Sequence, residues 1–505
     1  MVDTVATEEE QPYWTAGAPS EIYAPLPGLT RCEVAIIGGG IVGLTVAERL
    51  KKAGRHVVLV ENGRVGAQVT GRSTAKVTAL HGLVYDDLIQ KHGFDAASEY
   101  ADASRGAIRY VEERTHEFSI DCDLTRSAAY TISEKGAQRE AIDREVDAMQ
   151  RLGLPVERVT EANSPIAFDS GVVLPDQFQF QPYRYVVGLA RAVHGDSTLL
   201  HEGTRAYSIR AGSPNEVVTD HGMIKADHVV IATNLPFMDR GLFFAKASPR
   251  QHVVLAARLP DESALEGMFL NVDEPRYSFR RHQSPEGPVL ILTGAGSRPG
   301  HHSASQRLSD LKRLAAERFG TTEVLGWWFN EDYDSVDRLP YVGPLTPVTP
   351  GILVATGFSA WGLTNGTASA QMLARHILGE ADVTKTPFSS GRWNLRSAGR
   401  KLLDINLHVG REFVEDRGKA LASWDASTLA AGEGGICRRH GRSVAAYRDS
   451  EGELHLLSPR CTHLNCYVSW NGEARTWECP CHGSVFAHDG RMIHGPAVRD
   501  MKRLD

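Results

Sequence analysis

The sequence predicts an α/β nucleotide-binding unit followed, behind a linker, by a small all-β unit. Three observations carry this. The β-branched run Cys32-Glu-Val-Ala-Ile-Ile ends in the glycines Gly38, Gly39, Gly40 and Gly43, and helical periodicity follows. Strand and helix patterns then alternate to about residue 380, and from about Thr428 short strands and turns take over. Four cysteines and two histidines are packed between Cys461 and His482. At 505 residues the chain is long enough for about three structural units. A composition of 42% hydrophobic and 23% charged residues excludes a disordered or fibrous chain. With 55 Lys and Arg against 62 Asp and Glu, the net charge of −7 argues against nucleic acid as partner. No apolar run reaches the roughly 18 residues needed to span a bilayer. The acidic N-terminus has no apolar core of an export signal, so no transmembrane segment and a cytoplasmic location are expected.

Taken in order, residues 1–30 are polar and rich in Pro and Gly and read as a surface extension. The run from Cys32 to Gly38 is a buried strand, Ile41 to Ala53 a helix, and His56 to Glu61 a second buried strand, which together make a βαβ unit. Amphipathic patterns predict helices over 97–117 and 139–152. Short strands are expected at 199–209, 217–219 and 228–233, with more alternating runs over 247–295. A helix follows at 305–319, a buried strand at 351–356, and a helix at 367–378 closed by Gly379. Residues 391–420 carry seven Lys or Arg against four Asp or Glu and few aromatics, so 381–423 reads as a linker containing one helix. The expected divisions are thus 1–30, 31–380, 381–423 and 424–505.

Gly38, Gly40 and Gly43 fit a dinucleotide-binding fingerprint, and Glu61 stands 18 residues past the last glycine at the end of the second strand. Gly38 permits the tight turn, Gly40 lets a pyrophosphate approach the backbone, and Gly43 lets the helix pack on the sheet. Ile41 and Val42 open the helix whose free N–H groups face the phosphates. Glu61 can accept hydrogen bonds from a ribose 2′-hydroxyl. A second candidate, Gly294-Ala-Gly296-Ser-Arg-Pro-Gly300, has Pro299 where the third glycine belongs, so one dinucleotide is expected.

Residues 66–78 (Gly-Ala-Gln-Val-Thr-Gly-Arg-Ser-Thr-Ala-Lys-Val-Thr), then Ile231-Ala-Thr233, Asp337 to Pro344 and Gly351 to Thr364 occur in the order seen in a known family. The chain from about 31 to 380 resembles the D-amino-acid-oxidase-like flavoenzymes, among them glycine, sarcosine and γ-glutamylputrescine oxidases. The resemblance implies FAD in a Rossmann-like domain interleaved with an antiparallel-sheet substrate domain. It places Arg72, Ser73, Thr74 and Ala75 in the loop after the βαβ unit, and Ala206 and Thr233 toward the adenosine and pyrophosphate. Gly357, Trp361, Gly362, Leu363 and Thr364 fall at the pyrimidine edge of the flavin. Members that attach FAD covalently use a His or Cys at defined places. The 66–78 loop has no His and His81 comes a few residues late, so noncovalent FAD is expected. On the substrate side, Tyr277, Arg280, His301 and Trp361 lie in segments expected to line the flavin face, and the Arg280 guanidinium is suited to a carboxylate.

At the other end, Cys461-Thr-His463-Leu-Asn-Cys466 is followed after twelve residues by Cys479-Pro-Cys481-His482-Gly-Ser484. Two thiolates and two imidazoles would also suit zinc. The extra cysteine in each loop, the intervening Pro480 and the downstream Gly495-Pro496 resemble the Rieske [2Fe–2S] domain of cytochrome bc complexes more closely. That resemblance implies Cys461, His463, Cys479 and His482 as cluster ligands and a Cys466–Cys481 disulfide between the loops. Two residues depart from it, Asn465 where Gly is common and Phe486 where a Tyr hydroxyl bonds a ligand sulfur. Ser484, the other side-chain donor, is present.

Ring-hydroxylating dioxygenases place such a domain at the N-terminus before a mononuclear iron site, and pyridine-nucleotide reductases need a second nucleotide fingerprint. Neither fits. The leading expectation is a flavoenzyme that oxidises a C–N bond of a small-molecule amine or amino acid and passes electrons through the cluster to an unidentified acceptor. Two alternatives stand beside it. In one, a carrier reduces the cluster and the flavin reduces or hydroxylates a substrate; in the other, the chain is a non-enzymatic redox-sensing or electron-transfer module.

Overall fold

The computed structural model describes residues 10–17, 21–238, 240–300, 304–393 and 425–504. His301 and the helix expected in the linker lie outside the described residues.

The strand Leu29–Ile37 sits at the centre of the first sheet, paired in parallel with Val57–Val60 on one side and Met223–Ile231 on the other. Thr198–His201 and Ile352–Thr356 extend the parallel array outward on its two sides, and Tyr341–Pro344 closes one edge antiparallel. Val57–Val60, Ile352–Thr356 and the last four residues of Leu29–Ile37 are buried and, except for Thr356, apolar, as a sheet covered on both faces requires. Helices Ile41–Lys52, Phe94–Glu117, Pro182–Val193 and Gly362–Ile377 supply the cover. A second, nine-stranded sheet runs from Val324–Ser335 through Ala247–Arg258, Gly287–Gly294, Tyr277–Ser284 and Met268–Asn271 to Thr125–Ser133, Ser170–Gln179 and Lys76–Val77. Its strands come from two stretches of chain, 76–179 and 247–335, that lie between strands of the first sheet, so the two sheets are interleaved in sequence. Leu308, Leu311, Ala315 and Phe319 of helix Ala304–Phe319 bury against it.

Several elements differ from expectation. The run 199–209 is two strands, Thr198–His201 and Ala206–Arg210, because the chain turns at Gly203, whose φ is +57°. The helix expected from Thr367 begins at Gly362, and helices Tyr85–His92 and Pro182–Val193 are additional. Residues 10–17 are anchored rather than lying wholly on the surface. Trp14 is buried at 1% exposure and donates its indole N–H to the Ser73 carbonyl at 2.8 Å, so one large aromatic ring outweighs the polar composition around it. At the other end, Val342 and Ser390 exchange backbone bonds with Phe388 and Val342, so packing of the first unit continues to Arg392.

Residues 425–504 form two small antiparallel sheets, Gly434–Arg439/Arg442–Arg448/Leu454–Leu457 and Ser469–Asn471/Thr476–Glu478/Val485–Ala487/Met492–His494. Among the described residues no helix is long and apolar enough to cross a membrane.

One buried ion pair locks the return of the chain to the first sheet. Asp337, 1% exposed, takes two 2.8 Å hydrogen bonds from the Arg392 guanidinium. Burial pushes the Asp337 carboxyl up, but the bonds from Arg392 win and hold it below the usual range. Its stabilisation is therefore present above the unfolded value of about 3.9 and is lost as pH falls through the lower folded value. Asp337→Asn should cost about 3 kcal/mol, since it strands a buried guanidinium. Chemical denaturation at neutral pH checks this, and the difference between parent and variant should shrink in acid.

Candidate redox site

A cavity of about 780 Å³ opens at the carboxyl ends of the parallel strands. Gly38 has φ +110°, and a Cβ there would meet the Ala232 carbonyl oxygen at 2.5 Å. A Cβ on Gly43 would strike the Gly38 carbonyl. Both positions therefore admit only glycine, one at the turn and one where helix packs on strand. Gly40 precedes the first turn of helix Ile41–Lys52 and offers no side-chain cap, so Gly40, Ile41 and Val42 border the cavity with the helix N-terminus open toward it. The Thr70 hydroxyl takes the Ile41 N–H at 3.1 Å. Glu61 borders the cavity with its two oxygens held by the Gly39 and Gly63 N–H groups at 2.8 and 2.9 Å. Such a glycine cradle, with an open helix start and an oriented carboxylate, fits a dinucleotide.

Ser73, Thr74, Ala206, Thr233, Trp361, Gly362 and Leu363 also border the cavity. The remaining residues expected at the cofactor have other surroundings. Arg72 turns away to pair with Glu10 and bond the Phe329 carbonyl. Ala75 and Gly357 are backbone pivots with φ +64° and +80°. Thr364 ties its helix to residue 78, exchanging hydrogen bonds with the Thr78 backbone at 3.0 and 3.3 Å. Of the substrate-side residues, Tyr277 and Trp361 face the cavity, the first with its hydroxyl on Glu134. Arg280 does not. It is fully buried, and its guanidinium is spent on the Thr74 and Phe180 carbonyls and the Gln179 side chain while lying over the Trp14 ring. Carboxylate capture by Arg280 is thus blocked by backbone carbonyls that a sequence pattern does not reveal. His81 stacks on Trp361 with ring centroids 4.7 Å apart, and its Nδ1 is 2.5 Å from the Tyr100 hydroxyl. Burial lowers its pKa to about 3, so the ring is neutral at ordinary pH.

The cysteine loops lie next to this cavity. Cys461, Cys466, Cys479 and Cys481 are buried together with Phe486, Trp477 and Met492. Cys466 and Cys481 are disulfide-bonded, which ties the two loops. The Cys479 thiol hydrogen-bonds Cys461, which holds the Cys461 thiol below its ordinary range. The Ser484 hydroxyl also reaches Cys461 and accepts the Ala497 N–H at 3.0 Å. The His463 and His482 rings stand 5.1 Å apart, edge to face. Two thiols and two imidazoles converging from two tied loops fit a [2Fe–2S] group. Asn465, where Gly was expected, has φ +61°; the loop keeps its left-handed turn because Asn tolerates that region.

Sequence reasoning missed how the two ends meet. Residues 492–498 of the C-terminal unit border the same cavity as Gly38 and Trp361. Arg205 joins them, donating to Asn62 at 2.8 Å and pairing with Asp500 at 2.9 Å. The strand Val324–Ser335 separates cavity from cluster loop. By the two-residue period of a strand, Asn330, Asp332 and Asp334 face the cavity, while Glu331 and Tyr333 face the loop. The Tyr333 hydroxyl donates to the His482 carbonyl at 2.9 Å, and a Cβ on Gly483 would run into the Glu331 carboxylate. Only the Asp-Tyr-Asp alternation hinted at this.

Residues 33–376 match the family model of FAD dependent oxidoreductases (DAO), and residues 422–505 match the Rieske [2Fe-2S] domain. A Bacillus subtilis (strain 168) protein named as a Rieske 2Fe-2S iron-sulfur protein, YhfW, is 32% identical over 99% of this chain and 98% of its own length. The γ-glutamylputrescine oxidoreductase of Escherichia coli (strain K12) is 23% identical over 76% of this chain and 95% of its own. Glycine oxidase from Geobacillus kaustophilus superposes with a TM-score of 0.60 at 20% identity, over 72% of this chain and 99% of that one.

The two centres should be separable. Gly38→Ala should purify essentially free of FAD while keeping the cluster's electron-spin signal, because the cradle closes. His482→Ala should do the reverse. Metal analysis, flavin absorbance and electron-spin resonance on both variants check this, and a cluster signal surviving in His482→Ala would refute the ligand assignment.

Proposed function

Since this chain belongs to the FAD dependent oxidoreductase (DAO) family and carries a Rieske [2Fe–2S] domain, we propose that it oxidises a C–N bond and routes the electrons internally. In this reading a small-molecule amine or amino acid is the donor, the cluster is the relay, and an external acceptor takes the electrons. Bound FAD accepts a hydride and the cluster passes electrons singly. The observation that carries the proposal is the shared wall: one strand presents Asp332 to the cofactor cavity and Tyr333 to the His482 carbonyl.

The chain's own residues have separate tasks. Gly38 makes the turn, Gly40 would let the pyrophosphate approach the backbone at the helix start, Glu61 would hold the ribose, and Gly43 keeps the helix close to the sheet. Ser73, Thr74, Trp361, Gly362 and Leu363 seat the flavin, noncovalently. Neutral His81, stacked on Trp361, fixes that ring without adding charge. Cys461, Cys479, His463 and His482 would hold the [2Fe–2S] cluster, which would supply one-electron transfer, and the Cys466–Cys481 bond holds their loops in place. Residues 492–498 add a wall from the C-terminal unit to the cavity.

An amine or amino-acid donor should bleach the flavin anaerobically with no nicotinamide nucleotide present. The rate should rise with pH as the donor nitrogen loses its proton, since the neutral amine is the hydride donor. Anaerobic absorbance screening of amines and amino acids checks this. Stoichiometric bleaching by NADPH alone, or only by a reduced carrier, would reverse the proposed direction of electron flow.

A further inference from the structure

The charges around the cofactor cavity are nearly all spoken for. Among the described residues five arginines border it, and each has an acid partner. Arg64 pairs with Glu202 at 3.0 Å, Arg205 with Asp500 at 2.9 Å, Arg276 with Glu274 at 3.2 Å, Arg338 with Asp87 at 3.2 Å, and Arg250 with Asp334. Lys76 is the remaining bordering cation of the lysine and arginine type among the described residues. It gives its ammonium protons to the Phe269 carbonyl at 2.6 Å and to the Ser278 hydroxyl, and burial pushes it down toward the neutral amine.

The acids divide differently. Glu61 is held by two backbone N–H groups, and Glu274 and Asp334 have arginines. Asp332 is 6% exposed and makes no ion pair among the described residues. One of its oxygens takes the Ala360 N–H, one residue before Trp361, and the other, Oδ1, has no hydrogen-bond partner. Arg250 stands directly opposite Asp332 in the strand pairing, but its guanidinium is turned to Asp334. A buried carboxylate oxygen without a donor costs free energy unless something supplies one. Burial pushes the Asp332 pKa up to about 7, against the lowering effect of the Tyr333 and Ala360 N–H groups.

We propose that Asp332 is the subsite for a substrate ammonium group, so that the preferred donor is an amine without a carboxylate on the carbon next to nitrogen. Asp332 is positioned for this by its bond to Ala360, which fixes the carboxylate beside the start of helix Gly362–Ile377. An α-amino acid would bring its carboxylate to a wall whose arginines are already paired. A cationic amine supplies the N–H donor that Asp332 Oδ1 lacks. This selectivity rests on the reading of the chain as a C–N oxidase, but the subsite itself is a matter of binding and can be tested without turnover.

Calorimetric titration of the anaerobic holoenzyme with n-butylamine and with butyrate at pH 8 makes the test, on the parent, Asp332→Asn and Asp332→Glu. Removing one charged partner of a hydrogen bond predicts a loss of about tenfold or more in affinity. The parent should bind butylamine at least about tenfold tighter than butyrate. Asp332→Asn, which keeps an acceptor for Ala360 N–H, should lose that margin for butylamine without weakening butyrate, and Asp332→Glu should retain part of it. Equal affinity of the parent for the two probes would overturn the proposal even if no variant folded. So would unchanged butylamine binding in Asp332→Asn, or loss of FAD from that variant with its cluster intact, which would make Asp332 a cofactor ligand. Butylamine binding that depends on Asp332 in a protein whose flavin no amine bleaches would uphold the subsite and refute C–N oxidation.

Discussion

The two-residue period of the strand Val324–Ser335 is the constraint on which the two halves of this molecule depend. A strand buried on both faces must place successive side chains in different environments. Here one environment is the cofactor cavity, reached by Asn330, Asp332 and Asp334, and the other is the second cysteine loop, reached by Glu331 and Tyr333. A slip of one residue in its pairing with Ala247–Arg258 would exchange the two sets. Gly483 reinforces the register from the other side, since any side chain there would collide with Glu331. Docking of the cluster loop and shaping of the cavity are therefore a single packing problem.

Electrostatics follow the same economy. Charged groups near the cavity are neutralised in pairs, and the buried histidine His81 is kept uncharged by desolvation. A site of this kind has few fixed charges with which to oppose or mimic a substrate, so a single uncommitted carboxylate oxygen has a large influence. His494, from the C-terminal unit, borders the same cavity with its Nε2 buried and unpartnered, and burial, with Arg72 nearby, lowers its pKa to about 4. The C-terminal unit thus contributes neutral polar surface to the cavity wall.

Much of this was legible in the sequence because the signals were local. Gly38, Gly40, Gly43 and Glu61 announce strand, turn, helix and strand within thirty-three residues of chain, from Leu29 to Glu61, and each glycine has a steric reason that the structure displays. The six Cys and His of the C-terminal loops are equally local, and their disulfide follows the expected pairing. What sequence could not supply was long-range. Arg280 looks like a carboxylate ligand until the Thr74 and Phe180 carbonyls are found around it, 206 and 100 residues away. Trp14 looks like part of a polar tail until Ser73 and Arg280 pack on it. Asp332 carries no motif at all; its significance comes from the absence of a partner, which only a folded chain reveals.

The central claim is that flavin and cluster exchange electrons inside one chain, across the shared strand. Rapid mixing of the oxidised holoenzyme with one equivalent of a donor, followed by freeze-quench electron-spin resonance without external acceptor, tests it most directly. The account predicts that the reduced-cluster signal follows flavin bleaching with a rate constant unchanged over a wide range of protein concentration. A cluster that stays oxidised while the flavin is fully reduced, or a rate proportional to protein concentration, would contradict it.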